Sequence, residues 1–112
     1  MKTDVASTDS LLAEAVRRVV EIAHPDKIIL FGSGARGESG PESDLDLLVI
    51  KSGAENRGRL ARDIYRGLFG IAVPVDVLVV TPEDVEYLKG RVGSVVGRAL
   101  REGKVVYGLE SP

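Results

Sequence analysis

At 112 residues the chain can bury one core and not two, so a single domain over residues 1–112 is expected. It has no cysteine, which excludes a disulfide framework and a Cys-type zinc site, and a net charge of −2 gives no electrostatic basis for general nucleic-acid binding. Met1-Lys2-Thr3-Asp4 lacks the apolar core of a signal peptide and no run is long enough to span a membrane, so a cytoplasmic protein without membrane contact is expected.

Taken in chain order, Thr8 or Asp9 can cap a first helix, because Leu12, Ala15, Val16, Val19, Val20 and Ala23 recur at helical spacing behind them. His24-Pro25-Asp26 ends it, which gives His24, the chain's single histidine, a cap or turn role. A first strand follows at Lys27 to Phe31 and a second at Leu45 to Ile50. The connection between them is short for a packed helix, with a helical turn expected around Ala35, so the two strands should be neighbours in an antiparallel or mixed sheet. A second helix from about Ala54 to Phe69 presents Leu60, Ile64 and Leu68 inward and carries Arg59, Arg62 and Arg66 on its other side, a solvated stripe or a partner contact. Gly70 stops this helix. Val73 to Val80 reads as a third strand with Pro74 at its entry. Thr81 then caps, with Pro82 at the first helical position, for a helix over Pro82 to Lys89. Another helix, Ser94 to Arg101, precedes a last strand at Lys104 to Tyr107. Tyr65, Tyr87 and Tyr107 read as packing residues.

The chemistry lies between the first two strands. Gly32-Ser33 follows the first, and after ten intervening residues Asp44-Leu45-Asp46 opens the second. Alternate strand residues point to one face about 6 to 7 Å apart, so Asp44 and Asp46 can aim two carboxylates into one small volume. That suits Mg²⁺, which takes oxygen ligands from one or two carboxylates and from substrate phosphates; a pair of such ions clamps the attacking and leaving oxygens of a phosphoryl or nucleotidyl transfer. Gly32 lets backbone approach a phosphate, and the Ser33 hydroxyl with neighbouring N–H groups can cradle its oxygens. Arg36 can grip a phosphate or remain a solvated loop charge. The same loop spells Gly32-x-Gly34-x-x-Gly37, a dinucleotide fingerprint. It is set aside because Glu38-Ser39-Gly40-Pro41-Glu42 breaks any helix that a strand–helix–strand unit would need.

At Leu30-Phe31-Gly32-Ser33-Gly34-Ala35-Arg36-Gly37 and Ser43-Asp44-Leu45-Asp46-Leu47-Leu48-Val49 the chain resembles the minimal nucleotidyltransferase family, related to kanamycin nucleotidyltransferase and the palm of DNA polymerase beta. Thr81-Pro82-Glu83-Asp84 and the ending Ala99 to Tyr107 extend the resemblance over nearly the whole chain. Gly34 departs from it, since many relatives carry a larger, often basic residue there. The resemblance implies an α/β (α+β) fold, a small mixed and mostly antiparallel sheet flanked by helices. It also implies ATP as substrate, two Mg²⁺ ions on Asp44, Asp46 and Asp76, and nucleotide contacts at Gly32, Ser33, Arg36 and Ser43. Asp76 lies in the apolar run Val75 to Val80 and would be a metal ligand or the general base. Similar proteins commonly act as antitoxins that transfer AMP to a tyrosine of a HEPN-type toxin. Two other readings stand beside this: a non-catalytic module that masks its partner by contact, and an enzyme with a small-molecule acceptor. Homo-oligomerisation is compatible with any of them.

Overall fold

The computed structural model describes residues 8–32 and 45–108. Helix α1 (Thr8–Ala23) buries Ala15, Val19 and Ala23, the stripe that its sequence spacing marks. It stops at His24, whose φ of 48° is left-handed while its N–H still reaches the Val20 carbonyl at 2.9 Å. His24 therefore turns the chain out of the helix, as expected, and Pro25 prevents continuation. Whether Thr8 or Asp9 caps this helix lies outside the described side chains, and the turn expected around Ala35 lies outside the described residues.

Strand β1 (Lys27–Phe31) pairs antiparallel with β2 (Leu45–Ile50) and with β4 (Lys104–Tyr107), while β2 pairs parallel with β3 (Val75–Val80). The order is β3-β2-β1-β4, the mixed and mostly antiparallel sheet that the sequence implies. Successive strand residues face opposite sides. Leu45, Leu47 and Val49 of β2 join Ile28 and Leu30 of β1 in a core cluster with α1 and α2 (Arg57–Gly67), to which α2 contributes Ile64. Leu48 and Ile50 face the other way, with Ile29 and Val80, onto Val96 and Ala99 of α4 (Val95–Glu102) and Val85 and Leu88 of α3 (Pro82–Leu88). The sheet thus lies between two helical layers. No helix among the described residues is long and apolar enough to cross a membrane.

Three boundaries differ from the sequence reading by two residues or more, and those of α3 and α4 by at most one. Helix α2 starts at Arg57 rather than near Ala54, because Asn56 is its N-cap and accepts the Arg59 N–H at 2.9 Å. It ends at Gly67, before Phe69. Strand β3 starts at Val75 rather than Val73, since Pro74 has no N–H to give to a ladder, although its carbonyl accepts the Leu45 N–H at 2.9 Å. The three tyrosines also differ: all are exposed rather than packed. The Tyr65 hydroxyl accepts the Val77 N–H at 2.8 Å on the outer edge of β3, and Arg91 lies 4.2 Å over the Tyr87 ring.

At the start of α3, Thr81 accepts the Asp84 N–H at 3.1 Å and Asp84 accepts the Thr81 N–H at 3.0 Å, a reciprocal capping box. Asp84 also takes the Arg57 guanidinium at 2.5 Å, which ties the first turn of α2 to that of α3. A helix this short does not hold itself in water, so its cap and its core contacts decide whether it forms. Thr81→Ala is expected to cost about 1 kcal/mol, seen as a fall of about 4–8 °C in Tm. A thermal melt lowered by less than a degree would contradict the cap's role.

Acid should act through three carboxylates whose partners favour the charged form. Arg17 and then Arg18 hydrogen-bond Glu14 and pull it down to about 2. The Ser52 hydroxyl and N–H lower Asp26, and Arg57 with the Thr81 N–H lowers Asp84. Each folded-state value lies below the unfolded one, about 4 for such groups. The stabilisation is therefore complete above that value and is lost as pH falls through the folded ones. Denaturation midpoints should be flat from pH 7 to about 5 and decline below about 4; a midpoint as high at pH 3 as at pH 6 would refute this.

Candidate functional site

The parallel register of β2 and β3 sets Asp46 directly beside Asp76, on strands whose axes are about 4.8 Å apart. By alternation both side chains project on the face of Leu48 and Leu78, toward the α3 and α4 layer. That layer packs on Leu48, Ile50 and Val80, further along these strands than the two aspartates. Asp46 is therefore half-buried and Asp76 exposed.

Phe31, the last residue of β1, is the register partner of Asp46. The chain then turns at Gly32 with φ of 81°, a conformation that L side chains rarely adopt. A Cβ at Gly32 would collide with the Asp46 carboxylate. Here a glycine is required twice, by the turn and by the approach of backbone to an acidic side chain.

Beside Asp46 lies a cavity of about 260 Å³, lined by Phe31, Gly32, Asp46, Val95, Arg98 and Glu102. Arg98 and Glu102 sit one turn apart on α4, with Arg98 Nε 3.5 Å from Glu102 Oε1. Gly103 brings this helix close, since a Cβ there would lie 2.6 Å from Ile29 Cγ2 and 2.8 Å from the Leu30 carbonyl. A larger groove of about 700 Å³ runs between α1 and β4 past Leu12, Val16, Val20 and Val106. It is mainly apolar and lies apart from the two aspartates, so it offers no comparable chemistry.

Of the residues marked by the sequence, Gly32, Asp46 and Asp76 are gathered at one end of the sheet. Ser33, Arg36, Ser43 and Asp44 lie outside the described residues. The sequence reading missed Arg98 and Glu102; their i,i+4 spacing on a short helix was a visible signal, but nothing local connects them to Asp46. Arg59, Arg62 and Arg66 are exposed, on the side of α2 away from buried Ile64. Among the described residues no three His, Cys, Asp or Glu side chains form a metal cluster. The neighbouring carboxylates of Asp46 and Asp76 are hard oxygen donors, a set that fits Mg²⁺ completed by substrate phosphates.

The sequence model of the nucleotidyltransferase domain matches residues 11–106. The chain belongs to the nucleotidyltransferase domain family. The chain shares its fold with a Sulfolobus solfataricus protein provisionally classed as a nucleotidyltransferase, at a TM-score of 0.60 and 18% identity over 96% of this chain and 92% of that one. A toxin–antitoxin structure with AMP-PNP gives 0.53 and 20%, over 87% of this chain and 73% of that one. The spectinomycin adenyltransferase of Enterococcus faecialis, solved with ATP and spectinomycin, gives 0.59 and 18%, over 88% of this chain and 57% of that one. At such identities the likeness is one of fold. No curated protein sequence shows significant similarity to this chain.

Proposed function

We propose that this nucleotidyltransferase moves AMP from ATP to a hydroxyl of a partner protein, most simply a tyrosine of a HEPN-type toxin, and so acts as an antitoxin in the cytoplasm. The observation that carries the reading is the pairing of Asp46 with Asp76 in one register, with the Gly32 turn against the Asp46 carboxylate. The family match supports nucleotidyl transfer, and the toxin–antitoxin neighbour with AMP-PNP supports the nucleotide and the partner class.

In this reading Asp44, Asp46 and Asp76 hold two Mg²⁺ ions, while Gly32, Ser33, Arg36 and Ser43 cradle the triphosphate. The ions, when bound, supply charge neutralisation at the attacking and leaving oxygens. The acceptor hydroxyl oxygen forms a bond to the α-phosphorus, the bond from that phosphorus to the bridging oxygen breaks, and pyrophosphate leaves. Asp76, exposed beside Asp46, is in this reading either the third carboxylate of the metal site or the base that takes the acceptor proton.

Incubating the protein with each labelled nucleoside triphosphate, Mg²⁺ and the product of its neighbouring gene, followed by mass spectrometry, tests this. The expected result is the mass of one or more AMP units on a tyrosine of the partner. Neutralisation of the partner without added mass would instead favour masking by contact.

A further inference from the structure

The Arg98–Glu102 pair is held loosely for an ion pair at the mouth of a cavity. Its 3.5 Å separation is at the outer limit of a hydrogen bond, and its side chains are 65% and 47% exposed. The arginine precedes the glutamate along the helix, the less favourable order for an i,i+4 pair. Both residues nevertheless line the small cavity that contains Asp46 and Gly32. At about 260 Å³ it is smaller than the roughly 300–1,000 Å³ that encloses a whole drug-sized ligand, so it suits the charged tail of a nucleotide rather than all of it.

Resting on the nucleotidyltransferase reading above, we infer that Arg98 binds the polyphosphate tail of the incoming triphosphate and that Glu102 is the counter-ion it leaves to do so. A guanidinium binds phosphate oxygens in a two-pronged, charge-assisted geometry that the 3.5 Å contact from Arg98 Nε to Glu102 does not match. Asp46, which lines the same cavity, cannot approach phosphate without a cation between them. Arg98 supplies positive charge from the protein itself. Gly103 lets α4 approach β1 at Ile29 and Leu30, and Arg98 of that helix lines one cavity with Phe31 and Gly32.

The two members of the pair should therefore act with opposite sign. In titration calorimetry of the full chain with Mg²⁺ and AMP-PNP, Arg98→Ala is expected to weaken binding about tenfold or more, and Arg98→Lys to restore part of the loss. Glu102→Gln should tighten binding, and that gain should vanish in the Arg98→Ala background, a coupling that a purely structural role does not produce. Helix content by circular dichroism serves as the control for folding. Equal affinity in wild type and Arg98→Ala would overturn the inference while leaving the nucleotidyltransferase reading intact, as would a Glu102→Gln variant that binds more weakly. Failure of the wild type to bind AMP-PNP at all would overturn the nucleotidyltransferase reading, and the inference with it.

Discussion

Asp46→Asn is expected to reduce nucleotidyl transfer by at least about a thousandfold while the protein stays folded. The substitution keeps the shape of the side chain and removes its charge, at a position half-exposed rather than in the core. Metal-ion charge stabilisation in such sites is worth several kcal/mol in the transition state, and each 1.36 kcal/mol is about tenfold in rate. The flanking Leu45 and Leu47, both fully buried, keep the strand in place on the opposite face. Single-turnover assays with α-labelled ATP would read the rate, and a thermal melt the fold. A variant within tenfold of wild type would remove Asp46 from the chemistry.

Gly32→Ala is expected to lose about a hundredfold in transfer for a different reason. The added Cβ meets the Asp46 carboxylate, so either that group or the turn must move. A displacement of about 1 Å at a reacting centre can cost on the order of a hundredfold in rate. The φ of 81° adds strain of roughly 1–2 kcal/mol for any residue other than glycine. Gly53 separates the two effects: its φ is 75°, yet a Cβ there meets nothing within 4 Å. Gly53→Ala should therefore lower Tm comparably and leave transfer unchanged. If both variants kept full activity, the contact between Gly32 and Asp46 would have no catalytic meaning.

Strands β1, β2 and β4 were legible from the sequence at the bounds observed, because each is an apolar run interrupted by turn residues. The Thr81 cap followed by Pro82 was legible from residue type alone, whereas the reciprocal bond by which Asp84 completes the capping box was not read. Asp46 and Gly32 could be singled out by spacing, and Asp76 by resemblance. What no local pattern carried was the parallel register that lays Asp76 beside Asp46, since it depends on the crossover through α2. Arg98 and Glu102 were hidden more deeply. Their place in the cavity follows from a glycine, Gly103, that lets α4 close on β1. The start of α2 was misjudged because Asn56 offers a better cap than the residues before it.

The Tyr65 hydroxyl on Val77 closes one margin of the sheet. Along β3 the outward N–H of Val77 is already taken, so another chain gains little by laying a strand there. A single phenolic oxygen from α2 thus does for an edge strand what a covering loop does elsewhere: it withholds the template for edge-to-edge pairing.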